Sequence, residues 1–174
     1  MPQVHHVADA IQPGPLVLDA SRFAADNRRR LSGPGLRSFL AIADLWELNE
    51  DQRRLILGYP ARSTYHHWTR QARRQEALTL DGDVLTRISA VLGIHQALGV
   101  LFETQRAMLD WLTQPHDAPL FGGQQPLALV TSGTQDSLLQ VRRFLDAARG
   151  GLYMAPNAID RDAAPIDDSL IDWQ

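Results

Sequence analysis

Apolar residues return every third or fourth position through most of this chain, the period of helices with one buried face. SRFAADNRRRL, 21–31, predicts a short helix capped by Ser21, with Arg28, Arg29 and Arg30 at its dipole-favoured C-terminal end. SGPG at 32–35 predicts a break. The next apolar face runs through Leu36, Phe39, Leu40, Ala43 and Leu45. NEDQRRLILG then offers Asn49 as an N-cap, Leu55 and Ile56 as inward positions and Gly58 as a stop. YPARSTYHHWTRQARR starts another helix, with Pro60 near its first turn and Ala61, Tyr65, Trp68 and Ala72 as its inner stripe.

After TLDGD, residues 83–102 carry Val84, Ile88, Val91, Leu92, Leu98 and Leu101, with Gly93 and Gly99 read as joints. ETQRAMLDWL, 103–112, is amphipathic through Met108, Trp111 and Leu112. The last helix is TQDSLLQVRRFLDAARGG: Thr134 caps it, Gly150 stops it, and Leu138, Val141, Leu145 and Ala148 form its stripe, widened by Leu139 and Phe144. LYM at 152–154 reads as extended. The first 19 residues hold three prolines and little periodicity, so they read as an arm. From Pro156 the tail has five Asp and two prolines, a composition that does not fold alone. The expected fold class is all-α.

Charge divides the chain. Of its 174 residues, the first 75 carry a balance of +4 and the remainder −7, and every one of the 17 basic residues is Arg. A basic front and an acidic back suit different partners. The absence of cysteine excludes disulfides, thiolate metal sites and cysteine nucleophiles. No apolar run approaches the roughly 20 residues that span a bilayer, and MPQVHHVADA lacks the basic start and apolar core of a secretory signal. The expectation is a cytoplasmic protein with no membrane partner.

The two helices meeting at Gly58 have the helix-turn-helix pattern, in which the second helix enters the major groove. Its outward positions are Arg62, Ser63, His66, His67 and Arg70, with Arg73 and Arg74 continuing toward the DNA backbone. Arg62 has the planar fork that reads guanine, while Ser63 and Thr64 suit phosphate oxygens.

Other chemistries fare poorly. His5-His6 and His66-His67 are adjacent pairs, which do not converge on one metal, and His95 and His116 stand alone. There is no G-x-S-x-G, and Gly122-Gly123 lacks the G-K-[ST] that grips a nucleotide. No catalytic residue, metal ligand or cofactor is expected.

The segment 107–153, AMLDWLTQPHDAPLFGGQQPLALVTSGTQDSLLQVRRFLDAARGGLY, carries several motifs in order: Trp111, Leu112, Pro115 and His116; Leu120, Gly123, Pro126 and Leu127; Thr131 and Gly133; Gly151 and Tyr153. With this order and spacing it resembles the C-terminal toxin-binding domain of the Xre/MbcA/ParS antitoxins. The stretch from about Leu36 to Leu98 resembles the helix-turn-helix region that precedes that domain in the same family. PLFGGQQPLALVTSG is then a shaped turn in a partner-binding domain, in which Pro126 starts a short helix anchored by Leu127 and Leu129.

The resemblance implies an antitoxin that neutralises a cognate RES-domain toxin, an enzyme consuming NAD or transferring ADP-ribose. It also implies repression at the antitoxin's own promoter DNA. The expected divisions are an N-terminal arm and short helix over 1–32, an Xre-like helix-turn-helix domain over 33–102, a toxin-binding domain over 103–155 and an acidic tail over 156–174. Toxin contact is expected from Phe121, Arg149, Gly150, Gly151, Leu152 and Tyr153, with the C-terminal helix and these residues covering the toxin's substrate cleft. A symmetric operator implies a homodimer or a larger hetero-oligomer with toxin. The rival reading is a stand-alone helix-turn-helix transcription regulator whose C-terminal part serves dimerisation.

Overall fold

A computed structural model describes residues 24–150, which form seven helices and no strand. These are α1 (Ala25–Leu45), α2 (Glu50–Ile56), α3 (Arg62–Arg73), α4 (Gly82–Leu101), α5 (Gln105–Thr113), α6 (Pro126–Val130) and α7 (Gln135–Arg149). The fold is all-α, as the periodicity predicts. Ser21, the LYM segment at 152–154 and the acidic tail lie outside the described residues.

The predicted break at 32–35 is absent. One helix runs through Ser32, Gly33, Pro34 and Gly35, crossing the boundary expected after residue 32. The reason is tertiary. Ser32 is fully buried; its hydroxyl donates to the Arg28 carbonyl at 2.6 Å and accepts the Leu80 N–H at 2.8 Å. Gly35 faces α4, where a Cβ would make an ordinary contact with Ile88 Cγ2 at 3.6 Å. Pro34 and Arg30, the residue whose carbonyl loses its usual donor to the proline, are both exposed.

α4 is the spine of the molecule. Along α1 the partners advance in step with α4: Arg28 lies near Asp81, Gly35 near Ile88, and the Trp46 ring 6.2 Å from that of His95. Along α7 they advance likewise, Gln135 bonding Asp83 and Arg142 bonding the Ser89 carbonyl. The three helices therefore run parallel, with α4 between the other two. Val84, Ile88, Ala90, Val91, Ile94, Ala97 and Leu98 are all buried in one cluster with residues of α1, α5 and α7.

This packing overturns two expectations. Gly93 is no joint: α4 is continuous across it, and a Cβ at this position would come within 2.3 Å of the Arg142 guanidinium. The glycine is a notch in which Arg142 lies flat on the spine. Contrary to the expected absence of any such stretch, α4 is also long and apolar enough, by length and composition alone, to cross a membrane. Its apolarity on opposite sides follows from being enclosed by two helices. Burial also pushes the His95 imidazole below the usual histidine range.

At the end of α1 the inward residue is Trp46, 4% exposed, rather than Leu45, which is 39% exposed. The helix stops there, and Glu47 takes a left-handed φ of 56° that turns the chain toward α2.

Ser32 gives the first test. Replacing it with alanine removes the acceptor for a buried backbone N–H, a cost of about 1–3 kcal/mol. Urea unfolding of Ser32→Ala should show a loss of that size, against a much smaller loss for the exposed Ser38→Ala.

Candidate functional site

The helix-turn-helix is built by its turn. Asn49 caps α2 through a reciprocal box, accepting the Gln52 N–H while the Gln52 side chain accepts the Asn49 N–H, both at 2.9 Å. At the other end Gly58 takes φ +89°. Gly58 N–H bonds the Leu55 carbonyl and Tyr59 N–H bonds the Arg54 carbonyl, the paired closure of a Schellman stop. Tyr59 itself is left-handed at φ 57°. The guanidinium of buried Arg54 lies 4.3 Å over the Tyr59 ring, and its Nε donates to the Pro60 carbonyl at 2.9 Å. Pro60 thus precedes the cap residue Ala61 instead of opening the helix.

α3 buries Tyr65, Thr69 and Ala72, with Trp68 partly covered. Ala61 is exposed, so Thr69 takes the place expected for it in the inner stripe. Burial raises the Tyr65 phenol, opposed by Arg53, which lies beside it. Arg62, Ser63, His66, His67, Arg70, Arg73 and Arg74 are all exposed, and Thr64 is half-buried. They form one face with two electrostatic zones. In the first turn, Arg62 Nη2 lies 3.2 and 3.3 Å from the Asp51 carboxylate oxygens, and His66 Nε2 is 3.3 Å from Glu50. In the last turn, Arg70 and Arg73 have no carboxylate partner among the described residues, and Arg74 meets Glu76 only at 3.7 Å. Here His66, Thr69, Arg70, Arg73 and Arg74 line a shallow depression of about 410 Å³.

The second surface is the segment from Gln114 to Gly133. His116 N–H bonds the Gln124 carbonyl and Gly123 N–H bonds the His116 carbonyl, closing the loop on itself. Gly122 and Gly123 have φ of +55° and +81°, so the glycines serve the backbone path. Pro126 begins α6 as predicted, and Leu127 and Leu129 pack partly against the core.

Phe121 corrects an expectation. It is 2% exposed, packed edge-on to Trp111 at 5.8 Å and to Phe144 at 5.0 Å, so it holds the loop together instead of offering an anchor. Beside it Leu120, Gln140, Arg143, Phe144 and Ala147 line an open groove of about 380 Å³. Of these, Phe144 is the residue that the periodicity assigns to the core stripe; the structure leaves it partly buried at the edge of the groove.

Arg149 and Gly150 are exposed at the end of α7. Gly150 has φ −76°, a conformation open to any residue, so the helix ends there without glycine's special freedom. Gly151, Leu152 and Tyr153 lie outside the described residues.

The two surfaces are joined by Arg87 on α4. Its Nη1 donates to the Gly133 carbonyl at 3.0 Å and reaches the Ile56 carbonyl at 3.4 Å, while its Nε bonds Asp83 at 2.8 Å. Gly133, at φ +87°, seats against α2, where an added Cβ would stand 3.2 Å from Leu55 Cδ2.

A helix-turn-helix domain is thus joined through a shared spine to a second, smaller helical domain made of a glycine-shaped loop and a terminal helix. Two family models divide the chain in the same way. The antitoxin Xre-like helix-turn-helix domain matches residues 26–93, and the antitoxin Xre/MbcA/ParS C-terminal toxin-binding domain matches residues 97–151. A protein of Sinorhizobium fredii (strain NBRC 101917 / NGR234), described as uncharacterized protein y4oB, is 36% identical over 116 residues, which cover 67% of this chain and 84% of that one. The chain belongs to the Xre/MbcA/ParS antitoxins, and its partner is a toxin.

Gly133 should be the least replaceable glycine of the loop. Gly133→Ala combines left-handed strain with a tight contact on Leu55 and should cost about 1–3 kcal/mol in urea unfolding. Gly122→Ala, with open space around the added methyl, bears the backbone strain alone and should cost less.

Proposed function

We propose that this antitoxin neutralises a RES-domain toxin by covering its substrate cleft and represses its own promoter through α3. The observation that carries the DNA half is the zoning of α3: Arg70 and Arg73 have no carboxylate partner among the described residues, and they flank a depression wide enough for a backbone phosphate. Arg70, Arg73 and Arg74 take phosphates, with Ser63 and Thr64 at the first turn assisting. Arg62, His66 and His67 face the base edges. A dimer pairs two such helices across a symmetric operator.

Occlusion of the toxin falls to the end of α7 and the residues after it. Phe144 and Ala147 line the groove on the same helix that ends at Arg149, with Gly150 after it, and Gly151, Leu152 and Tyr153 come next in the sequence; groove and terminal residues are assigned together to toxin contact. Support for the antitoxin reading over a stand-alone regulator comes from the toxin-binding match over residues 97–151.

The two halves separate by experiment. Arg70→Ala with Arg73→Ala should weaken promoter binding about equally for all sequences and flatten the log–log salt dependence by about two units, near one per lost phosphate contact. Rescue of cells from the neighbouring toxin should persist. Truncation after Arg149 should give the reverse: promoter binding retained and rescue lost. An unchanged salt slope contradicts the phosphate assignment, and continued rescue by the truncated chain contradicts occlusion by the C-terminus.

A further inference from the structure

Asp51 lies on α2, yet it is the residue that fixes the first side chain of α3. Its Oδ1 accepts from Arg54 Nη1 at 2.9 Å and from Arg62 Nη2 at 3.2 Å, and its Oδ2 lies 3.3 Å from the same Arg62 nitrogen. Arg54 is itself held fast, 6% exposed, bonded to the Pro60 carbonyl and stacked on Tyr59. The turn therefore immobilises Arg54, Arg54 immobilises the Asp51 carboxylate, and the carboxylate holds one corner of the Arg62 guanidinium. Glu50 adds a second acid, 3.8 Å from Arg62 Nε. Arg62 remains 65% exposed, and its Nη1 has no partner among the described residues.

We infer that Asp51 is a specificity-determining positioning residue: through the Arg54–Asp51–Arg62 chain it presents Arg62 to a base edge and withholds it from phosphates. This rests on the reading of α3 as the DNA-contacting helix. An exposed ion pair adds little stability, so the pair is poorly explained as a brace. Its effect is on geometry and charge. A carboxylate at the corner of the guanidinium repels a phosphate that approaches the same nitrogen. The unengaged Nη1 edge keeps donors for the two acceptors of guanine. Arg70 and Arg73 have no such neighbour and suit the phosphate role.

The test uses the full chain and two duplexes, one spanning the region upstream of its own gene and one with the same bases shuffled. Asp51→Asn keeps an acceptor for Arg54 but turns an amide donor toward Arg62. It should lower the ratio of promoter to shuffled affinity several-fold, while shuffled-DNA affinity rises and its salt slope steepens by about one unit. Arg62→Lys, which keeps the charge and loses the fork, should lower the ratio by roughly tenfold. In an Arg62→Ala background, Asp51→Asn should leave the ratio unchanged, because no side chain remains to position. Thermal unfolding of each variant checks that the fold is retained. An unchanged ratio for Asp51→Asn overturns the inference, as does an equal drop in the Arg62→Ala background. A wild-type chain that binds both duplexes equally, or neither, overturns instead the DNA reading on which the inference stands.

Discussion

The burial of α4 between α1 and α7 is the constraint on which the other features depend. A helix with apolar residues on opposite sides has no stable position in water unless both sides are covered. α1 covers one and carries the helix-turn-helix with it; α7 covers the other and carries the partner loop. The two family matches meet between residues 93 and 97, in the middle of α4 itself. No linker separates the two parts: each completes its core on the same helix.

Polar contacts then fix the register of that packing. Arg87 ties the carbonyls at the ends of two turns, one on each functional surface, and Arg142 lies in the notch left by Gly93. Both guanidiniums sit largely against the protein, with side chains 11% and 34% exposed. The Arg87 bonds are part-buried, where losing a donor is costlier than in water, so they discriminate against slipped arrangements that the apolar contacts alone would tolerate.

Much of this was legible in the sequence, and the misreadings share a cause. Caps and stops are local chemistry, so Asn49, Gly58, Thr134 and the Pro126 start were readable from neighbouring residues. Ser32–Gly35 and Gly93 look like breakers by the same rules, but their purpose is set by residues about fifty positions away: Leu80, Ile88 and Arg142. Phe121 was misplaced for a related reason, since an aromatic residue in a glycine-rich loop reads equally as anchor or core until Trp111 and Phe144 are seen around it. On α3 the exposed face was legible from periodicity, whereas the zoning of its charges was not. That zoning depends on α2 presenting Glu50 and Asp51 across the turn.

One spine makes a single cooperative unit of the helix-turn-helix and the toxin-binding domain. Native-state hydrogen exchange across a urea series tests it most directly, because it resolves the opening free energy of each helix. The buried amides of α1, α4 and α7 should merge into one isotherm that opens only with global unfolding. If instead α7 exchanges through a separate opening of distinctly lower free energy, while α1 and α4 stay protected, the two parts are independent domains and α4 is not a shared spine.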